Sequence, residues 1–372
     1  MSIKPGDTVN HVDYRTRWQQ KRRRRQFIRL TAIPAAIICI VLLVYGIRSL
    51  FGGATHWSYQ GPSDSLALPC IRGNLIIGVF SEGRVQCLSL INGEPVWENL
   101  FARPYRFLAP AVISGGTAVI GSDYDAIYGV NVTDGDVKWG VEGEGPFRNA
   151  PLLVEDTVYL ASTSGKVYAL DIKDGSTVHQ PVDTGRPLSG RPALVEGVLV
   201  VPASDGVVLG LDMQKAATMW ICRLPVSITA PVVETNPFVA IGSDDGREYV
   251  INPADGTVQM VSNLPGLIRT ATSDDEYLYF ADSEGWIRKM ELATGRSVWR
   301  RRVASSLQDG PHRSGEKLYC LVDGNAVAVV SARDGSVMRR YGGYDGALHL
   351  DLGSGFMAVG TCDGQIHALE LP

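Results

Sequence analysis

Side chains capable of chemistry are plentiful in this chain, but few are spaced to work together. The six histidines stand at positions 11, 56, 179, 312, 349 and 367, and none sits in a His/Cys cluster with zinc spacing. Six cysteines occur. Cys39 lies in an apolar run, and Cys70, Cys87, Cys222, Cys320 and Cys362 follow without a CxxC pair. Mostly buried thiols and no obligatory disulfide are the expectation. No GxSxG, HExxH, phosphate loop or dinucleotide fingerprint occurs, so nothing supports nucleophilic, metallopeptidase or nucleotide chemistry. Acidic pairs at Asp123/Asp125 and Asp244/Asp245 could suggest calcium. Aspartate at a hairpin turn more often bonds its own backbone, and no metal is expected.

Binding chemistry is better represented. Arg103, Tyr105, Arg106, Phe107, Phe147, Arg148, Arg186, Arg191, Arg269, His312, Arg313, Tyr344 and His349 all fall in connecting segments. Gathered on one axis, they would form a basic mouth for an anionic ligand or a partner's acidic loop. Ordinary loop polarity is the competing account. A second basic group holds Arg300-Arg301-Arg302 and Arg339-Arg340, read as matching strand starts in neighbouring units. Residues 286–340 carry 11 Lys/Arg against 5 Asp/Glu, whereas residues 49–372 carry 25 against 37. Cations on an outer edge strand keep it soluble. The same arginines, Arg300, Arg301 and Arg339 above all, could also meet anionic headgroups or an acidic partner. The acidic balance of residues 49–372 argues against nucleic acid.

The elements that must position these residues come from a repeat of about 40 residues. Thr157–Val178 reads TVYLASTSGKVYALDIKDGSTV, and related copies start near Thr117, Val198, Val239 and Leu278. Each has a short apolar strand, a Gly turn, an alternating strand such as KVYALDI, and a second turn such as Asp174-Gly175. Glycine supplies the positive φ of tight hairpins, and alternation suits a half-buried strand. A third strand follows, usually opening on an aromatic: Trp97, Trp139, Trp220 or Trp299, with His179, Met260 and Met338 in the other copies. These rings are expected to pack between units. A Pro-containing link then starts the next unit, giving four short antiparallel strands each. A long β-sandwich would not repeat its turns at fixed offsets.

The inner hairpin occurs eight times, but the aromatic strand follows only seven of them. The missing strand is found at the other end, in His56-Trp57-Ser58-Tyr59-Gln60. The expected fold is therefore an all-β, eight-bladed β-propeller of four-stranded antiparallel blades over residues 56–372, closed by this N-terminal strand. Seven blades with ragged ends is the alternative.

The motif of apolar strand, Gly turn, Val167-Tyr168-Ala169-Leu170-Asp171, Gly175 and a Trp such as Trp139 resembles the PQQ-type (quinoprotein-like) propeller repeat. WD-repeat propellers fit worse, because no Gly-His or Trp-Asp pair sits at their offsets. The resemblance implies one of two branches. Quinone-dependent dehydrogenases of this family bind PQQ with calcium and carry a disulfide between neighbouring cysteines, which this chain lacks. The BamB-like branch implies a non-enzymatic envelope scaffold of about this size. Members of that branch are lipidated, whereas Cys39 follows Ala36-Ile37-Ile38 inside an apolar run, a poor lipidation box.

Residues 1–29 hold nine Lys/Arg and two Asp, and Leu30–Ile47 is free of charge. As a helix, that run is about 27 Å long, close to a bilayer core of about 30 Å. The expected order is a basic cytoplasmic tail at 1–29, a transmembrane helix at 30–48, a linker at 49–55 and the propeller outside the inner membrane. A signal cleaved near Gly52-Gly53-Ala54 is the rival reading. Arg24-Arg25-Gln26-Phe27-Ile28-Arg29 resembles a twin-arginine export signal. Together these readings imply a monomeric, single-pass scaffold without catalysis or cofactor, whose envelope partners dock on the loops. A quinone- or other ligand-binding oxidoreductase or sensor is the alternative.

Overall fold

The computed structural model describes residues 57–101 and 105–371. The expected tail, span and linker lie outside the described residues. Among the described residues no helix is long and apolar enough to cross a membrane. Among the described residues every regular element is a strand, and the strands form eight four-stranded antiparallel sheets.

The N-terminal strand is β1 (Trp57–Gln60). Blade 1 is β2 (Ala67–Arg72), β3 (Leu75–Phe80), β4 (Arg84–Ser89) and β5 (Pro95–Leu100); blade 2 is β6 (Val112–Ser114), β7 (Thr117–Gly121), β8 (Ala126–Asn131) and β9 (Val137–Glu142). Blade 3 is β10 (Leu152–Val154), β11 (Thr157–Ala161), β12 (Lys166–Asp171) and β13 (Thr177–Asp183); blade 4 is β14 (Ala193–Val195), β15 (Val198–Pro202), β16 (Val207–Asp212) and β17 (Ala217–Arg223). Blade 5 is β18 (Val233–Thr235), β19 (Phe238–Gly242), β20 (Arg247–Ile251) and β21 (Val258–Asn263); blade 6 is β22 (Ile268–Ser273), β23 (Tyr277–Asp282), β24 (Trp286–Glu291) and β25 (Ser297–Arg302). Blade 7 is β26 (Leu307–Ser314), β27 (Lys317–Val322), β28 (Ala326–Ser331) and β29 (Val337–Gly342). Blade 8 joins β30 (Ala347–Gly353), β31 (Phe356–Thr361) and β32 (Gln365–Glu370) to β1, with Trp57 opposite Ala368 and Gln60 opposite Gln365. The ring thus closes through its two chain ends, as the orphan strand implied.

The second and third strands of each blade are buried almost throughout, as in β3 and β4 or β27 and β28. The outermost strands alternate, and their inward residues pack on the next blade. Trp97, Trp139, Trp220 and Trp299 each lie against a glycine of the next blade's outer turn: Gly135, Gly175, Gly256 and Gly335. A Cβ on those glycines would stand 2.4–2.8 Å from the ring. Each indole N–H donates to a carbonyl of the same turn region, as Trp220 does to Pro253 at 2.7 Å. Met260 packs on Gly295 in the same way.

Two junctions differ, and the differences are paired. His179 takes the Trp position where the receiving turn has Ala216, at φ +49, in place of glycine. In blade 7 the register puts Arg339, not Met338, at the Trp position, opposite Val329. Met338 is 57% exposed. The reading that placed Met338 at a packing site was one residue out of step: the Trp position lies four residues after the outer-turn glycine, as with Gly135 and Trp139, and Gly335 puts Arg339 there. The receiving side at that junction is the gap between β32 and β1, which has no turn.

One face of the ring carries the blade-to-blade links and the turns between second and third strands. The same kind of backbone bond ties the two together in all eight units. Ser81 donates to Leu66, Asp123 to Arg106, Thr163 to Pro146, Ser204 to Pro187, Asp244 to Ser227, Ser283 to Leu267, Asp323 to Ser306 and Cys362 to Gly346. The link face is therefore a repeated, hydrogen-bonded surface.

Candidate functional site

The innermost strands surround an axial channel of about 960 Å³. Five of the expected basic residues line it: Arg191, Arg269, His312, Arg313 and His349. Arg106 and Arg148 do not. Arg148 pairs with Asp123 in the middle turn of blade 2, and Arg106 is exposed near the same turn. Arg186 likewise turns to Asp205. Phe107, Phe147 and Tyr344, grouped with these cations by sequence, are buried between blades. The physical reason is the length of the links. They are long enough to dip an apolar ring into the core while the adjacent polar residue stays on the surface.

Acidic residues that sequence reasoning passed over shape the channel. Asp309 on β26 sits between two imidazoles, with Oδ1 3.2 Å from His312 Nε2 and Oδ2 3.4 Å from His349 Nδ1. It also accepts the backbone N–H groups of Gly310 and Leu350, each at 2.8 Å. Burial by itself would raise this carboxyl. The charges and hydrogen bonds of His312 and His349 outweigh burial and hold it well below the usual carboxylate range. Burial would lower His312 in turn, but Asp309 and then Asp351 raise it above its ordinary value.

Other channel acids also stitch neighbouring inner strands. Asp351 accepts the Ile71 N–H at 2.6 Å, joining blades 8 and 1. Glu234 accepts the Leu194 N–H at 3.3 Å, joining blades 5 and 4. Asp274, in the turn after β22 and outside the channel lining, pairs with Arg313 at 3.3 Å and accepts the Tyr279 hydroxyl at 3.1 Å. The lining acids explain why the channel is not uniformly basic. Arg191 reaches the Pro151 carbonyl at 3.3 Å, and desolvation in the channel lowers its pKa, opposed by Glu234. Asp309 lies only three residues before His312, and that spacing was the available signal.

The acidic turns behave as turn residues. Asp123 is taken by Arg148, Asp244 accepts the Thr229 hydroxyl at 2.6 Å, and Asp245 accepts the Ser243 hydroxyl and the Arg247 N–H. Among the described residues no group of three or more His, Cys, Asp or Glu could hold a metal ion. Cys87, Cys222 and Cys320 are buried, Cys70 is half-buried and Cys362 is exposed.

A buried ion pair was also missed. Glu248 and Arg288, in adjacent blades 5 and 6, bond each other and the Ser262 hydroxyl. At these register positions other blades have Val85, Ile127 or Val167, and Tyr128, Tyr168 or Tyr249. Burial, then Arg300, lowers the Arg288 pKa to about 10. Aligning the repeats would have exposed both charges as misfits.

The second basic group falls on the outer wall. Arg300, Arg301 and Arg302 occupy the second half of β25, and Arg339 and Arg340 the middle of β29. They are not strand starts, because both strands begin two residues after their turn glycines.

Comparisons with known proteins agree with this architecture. Residues 81–227 and 244–359 match the family model described as outer membrane protein assembly factor BamB. A protein of that description from Yersinia pestis is 24% identical over 330 residues, covering 80% of this chain and 72% of the relative. Its counterpart from Shewanella oneidensis is 24% identical over 296 residues, covering 72% of this chain and 64% of the relative. Among solved structures, BamB from Moraxella catarrhalis superposes with a TM-score of 0.72 at 18% identity, covering 86% of this chain and all of that one. The computationally designed protein Ika8 gives 0.74 at 14% identity, covering 84% and 98%. At such identities the structural likeness shows the fold alone.

Proposed function

The chain belongs to the family described as outer membrane protein assembly factor BamB, and from that membership we propose a non-catalytic scaffold of a bacterial envelope. In this reading residues 30–48 anchor it in the inner membrane, the tail at 1–29 is cytoplasmic, and a single ring faces the extracytoplasmic space. It carries no resident cofactor, and its partners are envelope proteins that dock on the link face.

One observation carries the docking part. The link face is pinned by the same turn-to-link bond in all eight units, yet it exposes large side chains of mixed chemistry. Tyr124 stands out from it near Arg106 and Arg148 at blade 2, and Leu267 and Leu348 are exposed at blades 6 and 8. A rigid frame that displays exposed aromatic, aliphatic and guanidinium groups has the composition of a protein-binding patch. Nothing comparable converges on a reacting atom. Asp309, Asp351 and Glu234 accept backbone amides, and Asp309 also meets two imidazoles, so these acids help to hold the inner strands.

The test is site-specific photocrosslinking in intact membranes, with the probe at Tyr124, Leu267 or Arg106. Discrete adducts to envelope proteins are expected from these positions and not from Lys173 on the opposite face. An identical adduct pattern from both faces would sink the assignment.

A further inference from the structure

The eight outermost strands share charge unevenly. β25 reads Ser-Val-Trp-Arg-Arg-Arg and β29 reads Val-Met-Arg-Arg-Tyr-Gly, five arginines with no acid. The other six outer strands together hold two basic and three acidic residues. All five arginines are exposed. Among the described residues only Arg340 of the five meets a carboxylate, that of Asp323 at 2.9 Å. Arg300 stacks on the Trp286 ring at 4.7 Å, and Arg339 lies 5.2 Å from the Tyr341 ring centre. Arg301 and Arg302 reach only backbone carbonyls, of Arg300 and Glu284. Ring and carbonyl contacts orient a guanidinium without neutralising it. Val298, Val337 and Met338 are exposed among them.

The wall also lies beside the point where the chain enters the ring. β1 is the outer strand of blade 8, and blade 7 with its β29 is the neighbouring blade. Nine residue steps separate Arg48 from Trp57. Even fully extended they span no more than about 30 Å. Residues 30–47 are uncharged and apolar, and they follow a stretch with nine basic residues.

We propose that the outer wall of blades 6 and 7 rests on the anionic phospholipid headgroups of the bilayer that residues 30–47 enter. The proposal rests on the anchored reading given above. The arginines supply attraction to the charged surface, and Val298, Val337 and Met338 give it apolar contact between them. Attraction of this kind falls away within a Debye length, about 10 Å at 0.1 M salt and about 3 Å at 1 M.

The full-length chain is reconstituted into vesicles of phosphatidylcholine, with or without phosphatidylglycerol, each containing a photoactivatable lipid. Alkaline washing reports whether the chain is integrated, and peptide mapping reports where lipid attaches. Lipid adducts on β25 and β29 are expected to be roughly tenfold more abundant with phosphatidylglycerol. Molar salt and the triple variant R300E/R301E/R339E should each remove that excess. Arg223→Glu on β17 should leave it intact, which separates wall chemistry from general charge and folding effects. Equal adducts in both lipids, or adducts unmoved in an integrated triple variant, overturn the wall contact. Release of the chain by alkaline washing overturns the anchor, and the wall proposal falls with it. Saturable binding of polyglutamate without lipid adducts would assign the wall to an acidic protein and likewise overturn it.

Discussion

The indole of Trp57 rests against Gly93 and donates its N–H to the Leu90 carbonyl at 2.7 Å. A Cβ on Gly93 would stand 2.5 Å from that ring, and the glycine has φ +73. This contact locks the outer strand of the last blade onto the first, so the seam of the ring uses the same joint as the internal junctions. Trp97 on Gly135 and Trp139 on Gly175 repeat it.

The joint predicts that glycine is required twice over, for its backbone conformation and for the space it leaves. Gly175→Ala should cost about 1–3 kcal/mol from a strained left-handed residue and the displaced ring. Trp139→Ala should cost about 3–5 kcal/mol through the cavity it leaves. Denaturant unfolding measures both, and an unmoved midpoint for Trp139→Ala would mean the ring is not packing mortar. At the odd junction the sign reverses. Ala216→Gly should stabilise by up to about 1 kcal/mol, because a left-handed alanine is relieved.

The Glu248–Arg288 pair predicts strong non-additivity. Removing one partner, as in Glu248→Val, leaves a buried charge and should cost about 3–5 kcal/mol. The double variant E248V/R288Y installs residue types that other blades carry at these positions. It should be neutral or more stable than the parent by about 1–4 kcal/mol. A double variant as unstable as the worse single one would show that the pair contributes net stability.

The channel predicts a pH dependence with a definite sign. His312 is raised above its ordinary 6.5 in the fold, so its contribution is complete below that pH and is lost as pH rises through the folded value. Asp309 is held well below 3.8, so its contribution exists above that pH and is lost as pH falls through the folded value. The destabilisation caused by His312→Gln should therefore be larger at about pH 5.5 than at about pH 8.5. Unfolding curves at the two pH values decide it, and an equal penalty at both removes the Asp309 link from the account.

The thiols predict a single reactive position in the propeller. Burial pushes the Cys70 and Cys87 thiols up to about 12 and raises Cys320 and Cys222 as well. A thiol reagent at neutral pH should label Cys362 first in the native protein, and the others only on unfolding. Mass mapping that finds Cys87 or Cys320 modified at the same rate would contradict the packing of the second and third strands.

Adding quinone and calcium to the purified protein should leave its absorbance spectrum unchanged apart from the additives. A new band that titrates with quinone would favour the oxidoreductase alternative over the scaffold.

The period of the chain determined the fold because each four-stranded unit has two apolar faces and only a neighbour can cover them. The count of outer strands then required Trp57 to close the ring, and the structure pairs it with Ala368. Local signals could carry this much, since glycine turns and strand alternation are short-range. The register puts Arg339, four residues after Gly335, at the packing position in place of Met338, and the same glycine-to-Trp spacing in Gly135 and Trp139 was the available signal. The tertiary structure decided matters of direction. The cations of the links looked alike along the chain, yet Arg269 and Arg191 entered the channel while Arg148 turned to Asp123. Which way a link residue faces depends on groups distant along the chain, as Asp123 is for Arg148, which are brought close only by the fold.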